Sequence, residues 1–280
     1  QRQMCIRDSG TANCYLVTSP GFYKFKADVK GNGVVPSQLE SVAGETAIVP
    51  KSALVLWYNT LQKSNNWVDE SPVYLSSVSL DSDGYIRFYT PDVFVPGNVV
   101  IAAFAEEGIT YENITVDENK CINNATLLWS WNIWAADGYD PAATAVNADG
   151  NVFMDRNLGA VISGVGSTGN YEPAYAVGNY YQWGRKDPFP AASEYKSATN
   201  VQEDWGNPAY TTLDEYKVEG DKIFSSDRTK NGRMLKAELG SNYSLQQAVD
   251  ESVKYPHKWM FGGQNDTCLL YTSPSPRDCS

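Results

Sequence analysis

Histidine is nearly absent: the chain has one, His257, in 280 residues. A single imidazole cannot build the multi-histidine ligand sets of many catalytic metal sites. It sits in Tyr255-Pro256-His257-Lys258-Trp259 with no paired nucleophile motif, and so reads as a surface or turn residue. Positive charge is also scarce. Lys and Arg total 22 against 33 Asp and Glu, for a net charge of −11 and a pI near 4.6. Binding phosphates needs a basic patch, so nucleic acid is not an expected partner. Long apolar runs are missing too, since none approaches the roughly 18 residues of a membrane-spanning helix. No nucleophile elbow, phosphate loop or zinc-ligand spacing occurs. Carboxylates are plentiful, but nothing in their spacing selects an acid/base pair. The expectation is a non-enzymatic protein with no cofactor and no bound metal.

What the chain does hold is aromatic and strand-forming. It has 18 Tyr and 8 Trp, and hydrophobic residues make up 42% against 20% charged, a globular composition. Cys14-Tyr15-Leu16-Val17 ends at the turn signal Ser19-Pro20-Gly21, and Phe22-Tyr23-Lys24-Phe25-Lys26 follows with rough alternation. Ala53-Leu54-Val55-Leu56-Trp57-Tyr58 and Val99-Val100-Ile101-Ala102-Ala103-Phe104 are continuous apolar runs, too short for typical helices and suited to buried strands. Residues 73–80 alternate and then shift phase. Asp81-Ser82-Asp83-Gly84 reads as a hairpin turn, with Tyr85-Ile86-Arg87-Phe88-Tyr89 as the returning strand. In Leu127-Leu128-Trp129-Ser130-Trp131-Asn132-Ile133-Trp134, period two puts Trp129, Trp131 and Ile133 on one face. Short strands at this spacing predict a β-sandwich over 10–135. Residues 136–151 read as a linker rich in Asp, Asn, Gly, Pro and Ala. Residues 152–267 read as a mixed α+β region, with helical spacing over 244–253 that stops before Pro256.

The two ends stand apart. Met4-Cys5-Ile6-Arg7-Asp8-Ser9 and Cys268-Leu269-Leu270-Tyr271-Thr272-Ser273-Pro274-Ser275-Pro276-Arg277-Asp278 resemble translated sequencing adapters. Residues 1–9 and 268–280 are accordingly set outside the fold and expected to pack on nothing. That removes Cys5, Cys268 and Cys279 from consideration. Cys14 and Cys121 remain, either as a disulfide or as two separate buried thiols.

Three stretches carry a family likeness. Thr11-Ala12-Asn13-Cys14-Tyr15-Leu16-Val17 with Pro20-Gly21-Phe22-Tyr23-Lys24-Phe25 resembles the opening of a β module in fimbrillin-associated surface proteins of Bacteroidales. The block from Leu127 to Trp134 resembles its closing strand. Met154-Asp155-Arg156-Asn157-Leu158-Gly159-Ala160, then Tyr180-Tyr181-Gln182-Trp183-Gly184-Arg185-Lys186-Asp187-Pro188-Phe189, is similar to the start of the Fibrobacter major paralogous domain, which is C-type-lectin-like. The chain departs from these patterns in three ways. Asn132 stands where the strand block usually has His, the loop over 106–124 is longer than usual, and the closing Cys-Pro-rich block is missing. The resemblance implies a mainly β protein with an N-terminal β-sandwich and a truncated, loosely held α+β lectin-like region. It also implies an extracellular or outer-surface location and a role in adhesion or assembly. The partners would be other surface or pilus subunits, or host or dietary glycans. Two rival functions follow from the lectin-like likeness: a carbohydrate-binding module, and a relative of formylglycine-generating enzymes. Fold alone transfers neither.

Few residues are candidates for chemistry. Trp129 and Trp131 form either a core face or a platform for sugar rings, and the core reading is preferred. Asn147-Ala148-Asp149-Gly150-Asn151 has oxygen ligands at alternate positions like part of a calcium loop, but the closing bidentate Glu is missing, which favours a turn. The sequons at Asn113, Asn124 and Asn242 are read as incidental.

Overall fold

The computed structural model describes residues 4–5, 11–31, 33, 46–60, 71–115, 122–163, 178–179, 187–188, 235–238, 247, 250–251, 253 and 258–261. The described chain is mainly β, and no helix in it is long and apolar enough to cross a membrane.

Two four-stranded sheets make the body. The first contains β1 (Met4–Cys5), β3 (Gly21–Lys26), β6 (Tyr85–Thr90) and β5 (Ser79–Leu80) in the order β1-β3-β6-β5. The second contains β2 (Cys14–Val17), β8 (Leu127–Ala135), β7 (Gly97–Phe104) and β4 (Ser52–Thr60) in the order β2-β8-β7-β4. Alternation in β3 and β6 turns Tyr23, Phe25, Ile86 and Phe88 inward. They meet Tyr15, Val17, Val55, Val99, Ile101, Trp131 and Ile133 from the second sheet in one core. Phe25 links the layers, with its ring centroid 4.8 Å from Tyr15 and 5.2 Å from Trp131. Each such ring withdraws a large apolar area from water, which is the main force holding the sheets together.

β7 is buried along its whole length, and most of β8 is as well. Alternation would leave their second face in water unless something covered it. Two segments do. At one end, Leu54, Leu56, Val100, Ala102 and Phe104 pack with Ile114, Ile109, Tyr111 and Ile122 of the 106–126 loop. The described residues of the longer 106–124 loop, 106–115 and 122–124, are therefore a cover. At the other end, Trp134, Ala136 and Tyr139 pack with Leu16, Met154 and Leu158. Met154 and Leu158, in the region expected to be loosely held, thus pack against the second sheet.

Other expectations need amendment. Residues 136–151 are not an irregular linker throughout. Tyr139 is buried, and β9 (Val146–Ala148) pairs with β10 (Asn151–Phe153) as an exposed hairpin. The phase shift within 73–80 is a single 3-10 turn at Leu75–Ser77 between the chain at Tyr74 and β5. Met4–Cys5 does pack on something, since it pairs in parallel with Tyr23 and Lys24 at the edge of β3. An edge strand offers unpaired N–H and C=O groups to any extended segment, whatever its origin. Residues 268–280 and 180–183 lie outside the described residues. β11 (Leu235–Glu238) pairs in parallel with β12 (Lys258–Phe261), and the described positions between them, 247, 250, 251 and 253, are helical. A parallel pair needs a crossover of this kind.

Candidate functional site

Trp131 is fully buried and Trp129 is partly buried against the same core. Their strand face is set by register, with Ile101 opposite Trp131 and Ala103 opposite Trp129. The Trp129 indole N–H donates to Asn13 Oδ1 at 3.0 Å. Trp131 therefore has no surface on which to hold a ligand. Cys14 is exposed rather than a buried thiol, and its Sγ accepts from Asn132 Nδ2 at 3.4 Å. Cys121 and His257 lie outside the described residues. The 147–151 stretch is a hairpin turn with Asp149 at φ 51°, and the described residues hold no cluster of three or more metal-ligating side chains. Asp81–Gly84 is likewise a turn, closed by Gly84 N–H to Asp81 O at 3.0 Å. The side-chain amides of Asn113 and Asn124 are both spent on backbone carbonyls, Gly108 O and Asn113 O, at 2.7 Å each.

Two further arrangements lie on the outer faces of the sheets. The first is a buried polar seat on β7 and β8. Asn98 donates from Nδ2 to Gly159 O at 3.0 Å, and its Oδ1 accepts from Asn179 Nδ2 at 2.9 Å. Ser130 donates to Asp187 Oδ1 at 2.7 Å, and the Trp134 indole N–H donates to Ala160 O at 3.2 Å. All four polar side chains Asn98, Ser130, Asn179 and Asp187 are buried. Gly159 and Gly178 hold left-handed conformations with φ of +80° and +72°, and a Cβ on either would collide with Asn179 or with Leu158 O. Beside the seat, Asp155 lies against the Arg156 guanidinium, which holds its carboxyl below the usual range. Arg156 in turn covers the Tyr139 ring at 3.9 Å. This seat ties Gly159, Ala160, Asn179 and Asp187 to the outer face of β7 and β8. Replacing Asn98 by Ala strands Gly159 O and the Asn179 amide in a buried place, at a cost of about 1–3 kcal/mol. Limited proteolysis should then cut the 154–188 stretch faster than wild type. An unchanged cleavage rate would mean that the seat does not hold it.

The second arrangement is an aromatic row on the outer face of β3 and β6. Phe22 pairs directly with Tyr89, at 4.5 Å between centroids. Tyr74 stacks on the other side of Tyr89 at 5.4 Å, the rings within 10° of parallel. Phe22 is 47% exposed and Tyr74 49%. The Leu75–Ser77 turn holds Tyr74 there: Ser77 Oγ donates to Tyr74 O at 2.6 Å and accepts from Tyr89 N–H at 2.8 Å. Tyr89 OH donates to Asp92 Oδ1 at 2.6 Å, and this bond raises the phenol's pKa. The next row along the strands is polar. Lys24 faces Arg87, with its ammonium 4.6 Å over the Tyr85 ring, and Arg87 pairs with Asp81. Phe22 and Tyr89 occupy outward positions of two alternating strands. The third ring comes from outside both. No family model, curated protein or solved structure matches this chain.

Proposed function

We propose that the chain is a non-enzymatic component of a bacterial cell surface or pilus, acting in adhesion or assembly. In this reading the two sheets form a β-sandwich that serves as a rigid body, and the second region is a lectin-like module seated on it through Asn98 and Ser130. One observation carries the reading: the framework keeps a fixed aromatic row on an outer face, with half-exposed Phe22 and Tyr74 packed on the partly buried Tyr89. Exposed aromatics grouped in this way suit contact with a partner, because each offers apolar area at little entropic cost. The partners are other surface or pilus subunits, or glycans of host or dietary origin. Displayed on a non-adherent bacterium, the chain is expected to raise attachment to mucin or epithelial cells several-fold, or to co-assemble with pilus subunits. Display without either effect would overturn the proposal.

A further inference from the structure

We infer that the Phe22–Tyr89–Tyr74 row, with Asp92 and Lys24 at its margins, is a binding site for an uncharged glycan chain. The inference rests on the adhesion reading and names the ligand class. The three rings are pre-positioned, since cross-strand pairing fixes Phe22 against Tyr89 and the Ser77 hydroxyl fixes Tyr74. Organised aromatic surface needs little ordering on binding. About half of Phe22 and of Tyr74 is left in water, so the rings are not consumed by their mutual contacts.

What surrounds the row selects the ligand. A purely apolar partner would meet a charged row immediately beside the rings, at Lys24 and Arg87. An acidic polymer would meet a protein of net charge −11 and a carboxylate, Asp92, at the row itself. The neighbouring cations are also largely matched, as Lys26 pairs with Asp28 at 2.9 Å and Arg87 pairs with Asp81. A pyranose fits both features. Its C–H face lies on aromatic surface, while its hydroxyls donate to a carboxylate such as Asp92 and accept from a cation such as Lys24.

The test uses the full chain and isothermal titration with cellohexaose, xylohexaose and mannohexaose, with a trigalacturonate as the acidic comparison. Wild type is expected to bind at least one neutral hexasaccharide, and Phe22→Ala and Tyr74→Ala each to weaken that binding about tenfold. Asp92→Asn leaves the rings in place and should also weaken it. All three variants should remain folded at the titration temperature, checked by thermal melts: Asp92→Asn should match wild type, and each ring variant should melt only a few degrees lower, because about half of each ring is already in water. Binding of a neutral sugar that survives both ring variants would place the glycan site elsewhere while keeping the adhesion reading. Binding of none of the neutral sugars, or of the trigalacturonate alone, would remove the site. The display experiment then judges adhesion by itself.

Discussion

Replacing Trp131 by Ala is expected to destabilise the fold by about 3–5 kcal/mol and to lower Tm by roughly 10 °C. The ring is fully buried and bridges the layers, packed 5.2 Å from Phe25 and sitting on β8 opposite Ile101. Its removal leaves a cavity that two paired sheets cannot close without breaking register. Trp131→Phe should cost much less. The indole N–H finds no hydrogen-bond partner among the described residues, so the smaller ring loses area and volume but strands no polar group there. Urea melts of the two variants check both statements. An alanine variant as stable as wild type would mean that the ring is outside the core, and would return it to the role of ligand platform.

Alkaline pH should destabilise the protein through Tyr111. Burial pushes its phenol up to about 12 from an ordinary 10.0, with Glu112 adding a little in the same direction. The hydroxyl accepts from Val55 N–H at 3.0 Å and lies 3.4 Å from Leu75 O, which it can serve only as a donor. The folded state therefore holds its proton more tightly than the unfolded chain. The resulting stability is fully present below pH 10 and is lost as pH rises from 10 toward about 12. The shift corresponds to about 2–3 kcal/mol. Tyr15, also raised by burial, acts in the same direction. Tyr111→Phe should flatten the fall in stability over that window. At neutral pH it should cost about 1–3 kcal/mol, because Val55 N–H on the edge strand loses its acceptor. Denaturant titrations at a series of pH values would show both effects. Identical slopes for variant and wild type would mean that Tyr111 titrates normally and does not plug this edge.

The strands themselves were legible because their signals are local. Period two put Trp129, Trp131 and Ile133 together, and the apolar runs at 53–58 and 99–104 are β4 and β7. The turn at Asp81–Gly84 joins β5 to β6 as its composition demands. The mainly β class follows from these alone. Partnership did not follow, because it depends on contacts between residues distant in the chain. Nothing in Cys14–Val17 states that it runs parallel to β8 with Cys14 beside Asn132. Nor does anything in the 106–126 loop or in Met154–Gly159 state that each covers one end of the second sheet's outer face. A continuous apolar run shows only that both of its faces are buried; what buries them is decided by packing. The polar seat was hidden for a related reason. Asn98, Ser130, Asn179 and Asp187 are unremarkable residues until folding withdraws them from water together, and only then must each find its hydrogen bonds. For the aromatic row the two strands were legible, but not that Phe22 and Tyr89 meet across them. The third ring, Tyr74, joins them only because a 3-10 turn interrupts what reads as a strand, and it was tertiary structure that set that turn against β6 through Ser77.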